Sequence, residues 1–300
     1  MKITYKELKQ DANEQRIKPE GFSDVYNAQQ LAKDNERVKS LEKKFGKLAL
    51  GTGEFSDSEV QEYVTTQFLA LDDWFGEEER DEGGEETPFI RGGDGFGKAF
   101  LTAKYDDYVN GADVICVAKN RDTDYQPVPF VLDLTYSSDM ETVYEKMRRF
   151  HTDELLAGFT SIRYFVDDDN ITNSPLLEKG GIDILPRFVV GFHRDLSDEL
   201  IDTLMHGAQF DDTSSSNKAK TLVLAELKNQ TTQMMKFFNE EYKNKTPALD
   251  KMFSDVQCLD KYFTGAIEVA RKKNPSLSPN SDDWGLDDPV ARQILFASIY

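Results

Sequence analysis

The chain of 300 residues has few of the residues that build covalent or metal-binding frameworks. It contains two cysteines and three histidines. Cys116 lies in an apolar run and is far from Cys258 in the sequence, so neither a disulfide framework nor a cysteine-based metal site is supported. The histidines are far apart and match no zinc-binding spacing.

Long apolar segments are also absent. The first twenty residues are mostly polar or charged, which is unlike a signal peptide. No window approaches the roughly 18 consecutive apolar residues that a membrane-spanning helix requires. We therefore predict a cytoplasmic protein without a membrane segment. Hydrophobic residues still make up 39% of the chain, which is enough to build a core.

Positive charge is scarce relative to negative charge. The formal net charge is -19, and such a surface repels a phosphate backbone. Binding of DNA or RNA therefore requires a metal ion or a local basic patch. A basic protein partner is the alternative that this charge favours.

Composition and periodicity divide the chain into three parts. We predict an N-terminal helical extension over residues 1–55, an α/β core over 56–210, and a C-terminal helical region with a tail over 211–300. The core contains a glycine-containing acidic loop at 76–97, where like charges oppose packing. This loop and an amphipathic helix at 217–242 are candidate surfaces for a protein partner.

The core pattern predicts a mixed sheet with a meander, a crossover helix and further strands. The Asn110-Gly111 pair is typical of a tight hairpin turn, which would join two strands at that point. A helix beginning near Ser56 is predicted before the sheet because a capping box precedes apolar residues at helical spacing. The remaining predicted strands are 112–118, 129–135, 162–166 and 188–192, with helices at 138–157 and 197–206.

Two aspartates fall on predicted neighbouring strands. Asp113 begins the strand 112–118, and Asp133 lies near the end of the strand 129–135. A carboxylate within an apolar run needs compensation by a cation, by hydrogen bonds or by exposure. Mg²⁺ or Mn²⁺ is one such cation, since both prefer oxygen ligands and can activate water.

The order of these elements resembles the core of PD-(D/E)XK nucleases, a restriction-endonuclease-like fold. The resemblance covers roughly residues 56–207. It implies metal-dependent phosphodiester hydrolysis of DNA or RNA, with Asp113 and Asp133 as the metal-binding acids. The lysine position of the family motif falls on Thr135, two residues after Asp133 and on the same strand face. Threonine carries no positive charge.

The resemblance therefore implies that another residue supplies the lysine. Lys146, on the following predicted helix, is the first candidate for this role, and Lys119 is the second. Three further acids in the matched region are candidates to complete the site: Glu59, Glu62 and Asp107.

Three other interpretations are compatible with the same sequence patterns. Asp113 and Asp133 are also compatible with purely structural hydrogen bonding at a turn. A non-enzymatic interaction or scaffold protein with an acidic surface is the main alternative function. Residues 92–98 fit G-x-x-x-x-G-K, a phosphate-binding loop motif, although Ala99 lacks the hydroxyl that binds Mg²⁺.

Overall fold

A computed structural model describes residues 2–49, 58–70, 98–118, 127–136, 141, 143, 146–147, 158–166, 179–207, 210, 213–241, 246–273 and 288–297. Within these residues the chain is a mixed α/β structure with one five-stranded sheet and eight α-helices whose two ends are both defined. The strands are β1 Lys98–Leu101, β2 Val114–Ala118, β3 Val128–Thr135, β4 Phe159–Phe165 and β5 Gly180–Gly191. The helices are α1 Tyr5–Gln15, α2 Ala28–Ala49, α3 Ser58–Leu69, α4 Lys104–Asn110, α5 Arg194–Met205, α6 Ser214–Glu241, α7 Pro247–Lys273 and α8 Pro289–Ala297.

The sheet has the order β1-β2-β3-β5-β4. Strands β1, β2 and β3 form an antiparallel meander, while β5 runs parallel to β3 and antiparallel to β4. Between β3 and β4, the described residues Glu141, Val143, Lys146 and Met147 are helical, and Val143 and Met147 are fully buried. The predicted mixed sheet with a meander is therefore confirmed, and four of its predicted strands correspond to β2, β3, β4 and β5.

The predicted hairpin at Asn110-Gly111 is wrong. Residues Lys104–Asn110 form the short helix α4, and Gly111 ends this helix in the left-handed conformation with φ 63°. The Asn110-Gly111 pair correctly predicted a positive φ at Gly111. However, a glycine with positive φ ends a helix as readily as it forms part of a type I′ turn. The meander consequently begins earlier, at Lys98.

Helix α4 is tied to the sheet by a buried aspartate. Asp106 accepts hydrogen bonds from the backbone N–H groups of Arg163 (2.7 Å) and Tyr164 (3.0 Å) in β4. It also accepts one from the Asn110 side chain at 2.7 Å. These bonds fix the orientation of α4, and with it the position of the adjacent Asp107.

The edge of β5 beyond β4 is covered by two polar side chains of α6. Strand β4 pairs with β5 only as far as Pro186. Beyond that point, Gln230 accepts from the Val189 N–H at 2.9 Å and donates to the Val189 carbonyl at 2.7 Å. Glu226 accepts from the Gly191 N–H at 3.1 Å. A helix therefore supplies the hydrogen bonds that a sixth strand would otherwise make.

A single buried apolar cluster joins the N-terminal, central and C-terminal parts of the chain. It contains Leu8 of α1, Phe130 of β3, Leu227 of α6 and Ile294 of α8, all of them at most 1% exposed. None of the described helices combines the length and hydropathy needed to span a bilayer. The predicted acidic loop 76–97 and most of the predicted tail lie outside the described residues.

Candidate functional site

Asp113 immediately precedes β2, and Asp133 lies on the neighbouring antiparallel strand β3. The register pairs Val114 with Leu132, and the Asp113 N–H extends the ladder by donating to the Leu132 carbonyl at 3.0 Å. The Asp113 Oδ2 accepts from the Leu134 N–H at 2.6 Å. Asp113 is 8% exposed, so its carboxylate is held almost entirely inside the protein.

Lys146 reaches the end of β3 from the helical segment that follows it. Its Nζ lies 2.6 Å from the Asp133 Oδ1 and donates to the Leu134 carbonyl at 2.7 Å. Burial alone would lower the pKa of Lys146, but the charges of Asp133 and Asp113 outweigh this effect and raise the pKa. The ammonium group therefore stays charged beside Asp133, and 28% of the side chain is exposed.

Thr135 occupies a packed position. The residue is 3% exposed and pairs with Gly191 of β5. A Cβ atom added at Gly191 would lie 2.5 Å from the Thr135 Cγ2 and 2.3 Å from the Thr135 carbonyl oxygen. Thr135 is therefore closed in by a neighbouring strand, while Lys146 approaches the same strand end from the next helical segment.

A second group of carboxylates meets Asp113. Glu62 of α3, Asp107 of α4 and Asp113 each offer an oxygen, and these three oxygens all lie within 4.8 Å of one another. Glu59, one turn earlier in α3, is turned towards Lys104 instead, with the Glu59 Oε1 3.2 Å from the Lys104 Nζ. Of the three additional acids named from the sequence, Glu62 and Asp107 join this group and Glu59 does not.

Arg16, which the sequence analysis did not identify, is buried against this group. Its guanidinium lies 2.5 Å from the Glu62 Oε2 and 3.2 Å from the Asp107 Oδ2, and it also donates to the Thr102 carbonyl at 3.2 Å. Arg16 follows α1 as its C-terminal cap. Its partners are 46 to 91 residues away in sequence, so no local pattern marks it.

Burial and mutual repulsion raise the pKa values of these acids. Burial, followed by the charge of Asp113, raises the pKa of Glu62 to about 7. Burial and the charges of Glu62 and Asp113 raise the pKa of Asp107 well above its ordinary value. Burial and the charge of Asp133 raise the pKa of Asp113, which shares a hydrogen bond with Asp107. Each of these acids therefore binds a proton more tightly than it would in water.

The donor set fits a hard divalent cation. All the candidate ligands are carboxylate oxygens, which Mg²⁺ and Mn²⁺ prefer. Arg16 contacts one oxygen each of Glu62 and Asp107, and Asp107 also shares a hydrogen bond with Asp113. A cation placed among Glu62, Asp107 and Asp113 would compete with protons for these oxygens.

Two other candidates from the sequence are Lys119 and the glycine-rich motif at 92–98. Lys119, the second lysine candidate, lies outside the described residues. So do residues 92–97 of the glycine-rich motif. Its final residue, Lys98, begins strand β1, whereas the lysine of a phosphate-binding loop opens a helix. The described residues thus give no support to nucleotide binding at this motif.

Comparison of the chain with protein-family models, with curated proteins and with solved structures finds no match.

Proposed function

We propose that the protein is a divalent-metal-dependent nuclease related to the PD-(D/E)XK fold. The observation that carries the proposal is the contact of the Lys146 Nζ with Asp133, 2.6 Å from the Oδ1, at the strand end where Asp113 meets Glu62 and Asp107. A positive charge beside metal-binding acids can stabilise the negative charge that a phosphodiester gains during hydrolysis.

The order of elements adds support. A helix carrying Glu62 precedes an antiparallel meander, interrupted by α4, that carries Asp113 and Asp133. A helical segment carrying Lys146 follows, then β4, and then β5, which runs parallel to β3. This is the order implied by the resemblance, with the lysine moved from the strand to the following helical segment. The restriction-endonuclease-like fold is part of the proposal.

The roles follow from the positions of the side chains. Glu62, Asp107, Asp113 and Asp133 would hold Mg²⁺ or Mn²⁺, which when bound would polarise the phosphodiester and lower the pKa of a coordinated water. Lys146 keeps Asp133 oriented and places positive charge where the phosphate gains negative charge. The Lys146 side chain is 28% exposed at this strand end. DNA and RNA are both candidate substrates.

The proposal is tested by cleavage of labelled single- and double-stranded DNA and RNA with Mg²⁺, with Mn²⁺ and with EDTA. We expect metal-dependent cleavage that falls on the order of 10²-fold or more in Asp113→Asn and in Lys146→Gln. Glu36→Gln, on the exposed face of α2, is the matched control and should cleave like the wild type. Undiminished metal-dependent cleavage by Asp113→Asn would overturn the assignment.

Two observations favour a second candidate, a non-enzymatic relative that keeps the fold as an interaction or scaffold protein. Arg16 pairs with both Glu62 and Asp107 without any metal, and Thr135 stands in the strand position of the lysine. A protein of this kind would show no cleavage of any substrate and no change of thermal stability with Mg²⁺ or Mn²⁺. Metal-dependent turnover that is lost in Asp113→Asn would exclude it.

A further inference from the structure

Glu226 of α6 is a buried acid with an incomplete set of hydrogen bonds. The residue is 0% exposed. Its Oε2 accepts from the Gly191 N–H at 3.1 Å, whereas its Oε1 is buried and has no hydrogen-bond partner within the described residues. An ionised carboxylate offers about four acceptor sites, so a single bond leaves most of its charge without compensation. The geometry therefore favours the neutral acid, with the proton on Oε1.

A second buried acid, Asp288, stands at the start of α8 and is fully hydrogen-bonded. Its Oδ1 accepts from the N–H groups of Val290 (2.9 Å) and Ala291 (3.0 Å), and its Oδ2 accepts from the His193 N–H at 2.8 Å. Three donors and a helix N-terminus stabilise an ionised carboxylate. Asp288 is therefore the charged member of the pair. Burial, with a smaller contribution from this charge, raises the pKa of Glu226 well above its ordinary value.

Helix α8 docks at the strand residue that Glu226 contacts. Val290, Ala291 and Ile294 of α8 are buried in the main core, and α8 packs against both α6 and β5. A Cβ atom added at Gly191 would lie 3.1 Å from the Val290 Cγ1, and the Gly191 N–H is the donor to Glu226. A charge on Glu226 would therefore appear where α8 meets the sheet.

The other charged groups near the start of α8 do not compensate Glu226. Arg292 of α8 is exposed. The imidazole of His193, at the start of α5, lies with its Nδ1 3.3 Å from the Asp195 Oδ2. The charge that acts on Glu226 from this side is that of Asp288, and it repels a second negative charge.

The elements on the remaining sides of Glu226 also lack a free cation for it. Lys228, on the same helix, is paired with Asp260 of α7, with the Lys228 Nζ 2.6 Å from the Asp260 Oδ1. The strand residues next to Glu226 are Gly191 of β5 and, beyond it, Thr135 of β3, and neither carries a charge. In the described part of the chain, no lysine, arginine or histidine forms an ion pair with Glu226.

We propose that Glu226 is a proton-controlled latch that holds the C-terminal helix α8 against β5 and α6. With the proton in place, the carboxyl is neutral beside Asp288 and α8 stays docked. Loss of the proton puts two negative charges next to each other in a buried region. Undocking of α8 admits water to both carboxylates and relieves this repulsion. A rise in pH therefore loosens this one helix before the whole protein unfolds.

The direction of the pH dependence follows from proton linkage. The docked protein holds a proton on Glu226 at pH values at which the undocked state releases it. The stabilisation is therefore complete below the ordinary pKa of 4.5 and is lost as the pH rises towards the raised pKa of the docked state. Within this window, each pH unit should increase the equilibrium constant for undocking by up to about tenfold.

The test is hydrogen–deuterium exchange of the full-length protein in EDTA at pH 5, 6, 7 and 8, with each rate divided by the chemical exchange rate at that pH. In the wild type, protection of the α8 amides should fall by about threefold to tenfold per pH unit. Glu226→Gln is neutral at every pH and keeps an acceptor for the Gly191 N–H, so its α8 protection should not change with pH. Glu268→Gln, at an exposed position of α7, is the matched control and should behave like the wild type.

Infrared difference spectra give a second readout that does not depend on α8. At pH 7 the wild type should show the C=O band of a protonated carboxyl that Glu226→Gln lacks. Absence of this band, a flat protection profile of α8 in the wild type, or an equal slope in Glu226→Gln would each overturn the latch. If Glu226→Gln does not fold, the wild type decides, because equal slopes for α8 and α2 would also overturn it. The latch is independent of the proposed metal-dependent function, since cleavage is not part of either measurement.

Discussion

Glu62 links the chemistry of the site to the stability of the protein. Its pKa is about 7 in the folded state and ordinarily 4.5, so the folded protein holds a proton that the unfolded chain has released between these pH values. Stability therefore falls as the pH rises from about 4.5 to about 7. The full difference in pKa corresponds to about 3 kcal/mol of unfolding free energy.

We predict that Glu62→Gln weakens this pH dependence. Urea unfolding in EDTA at pH 5, 6 and 7 measures the change. Glu59→Gln is the control from the same helix, because Lys104 lowers the pKa of Glu59 although burial opposes it. That carboxylate titrates at lower pH, so its loss should leave the dependence between pH 5 and pH 7 unchanged. An identical pH profile for wild type and Glu62→Gln would contradict the assignment of Glu62.

A residue of the candidate site could be predicted from the sequence where strand pairing or the order of the elements determined its position. Asp113 and Asp133 follow from two adjacent apolar strands, and Lys146 follows from the position of the next helix after Thr135. Asp107 was a candidate, but the sequence analysis placed it before a turn rather than in a helix. Arg16 could not be predicted, because its contacts depend on how α1 packs against the sheet. Sequence periodicity and spacing carry no information on that packing.

Strands β3 and β5 approach unusually closely where Thr135 meets Gly191. A Cβ at Gly191 would lie 2.3 Å from a backbone oxygen, which cannot move away as a flexible side chain can. We predict that Gly191→Ala lowers the unfolding free energy by about 3 kcal/mol or more. Gly21→Ala is the control because its Cβ would meet nothing within 4 Å. Equal urea midpoints for the two variants would contradict this packing.

The hydrogen bonds from α6 to the edge of β5 should also make a measurable contribution to the free energy of unfolding. Gln230→Ala removes both partners of the Val189 backbone and leaves a buried N–H and a buried carbonyl unsatisfied. We predict a loss of about 2 to 4 kcal/mol of unfolding free energy. Asn239→Ala, at an exposed position of the same helix, should change it by less than about 0.5 kcal/mol. Urea unfolding compares them, and a neutral Gln230→Ala would show that α6 does not replace a strand here.

The sequence largely predicted the type and order of the helices and strands, but not the structure of the segments that connect them. The amphipathic spacing after Ser56 predicted α3, and the apolar runs predicted four of the five strands. Helix α4 was missed because Asn110-Gly111 marks a positive φ without stating whether a helix or a strand precedes it. Tyr105 and Tyr108 favoured a strand locally, and the buried bonds of Asp106 to β4 overrode that preference.

The protein as a whole combines a strongly acidic sequence with a buried cluster of carboxylates. A net charge of -19 attracts cations to the surface in general, and the carboxylates around Asp113 add a buried set of oxygen ligands whose pKa values are raised by burial. The core that joins α1 to the sheet holds Arg16 within this set. Fold, stability and proposed catalysis therefore depend on how these carboxylates are compensated.

The central claim is that a divalent cation binds among these carboxylates, and a crystal grown with Mn²⁺ tests it most directly through anomalous scattering. We predict an anomalous peak about 2.0 to 2.6 Å from a carboxylate oxygen of Asp113, and no such peak in Asp113→Asn. Glu62, Asp107 and Asp133 should supply the other protein ligands, with the Arg16 guanidinium still bridging Glu62 and Asp107. Manganese only at surface carboxylates, with the Asp113 cluster empty, would contradict the account.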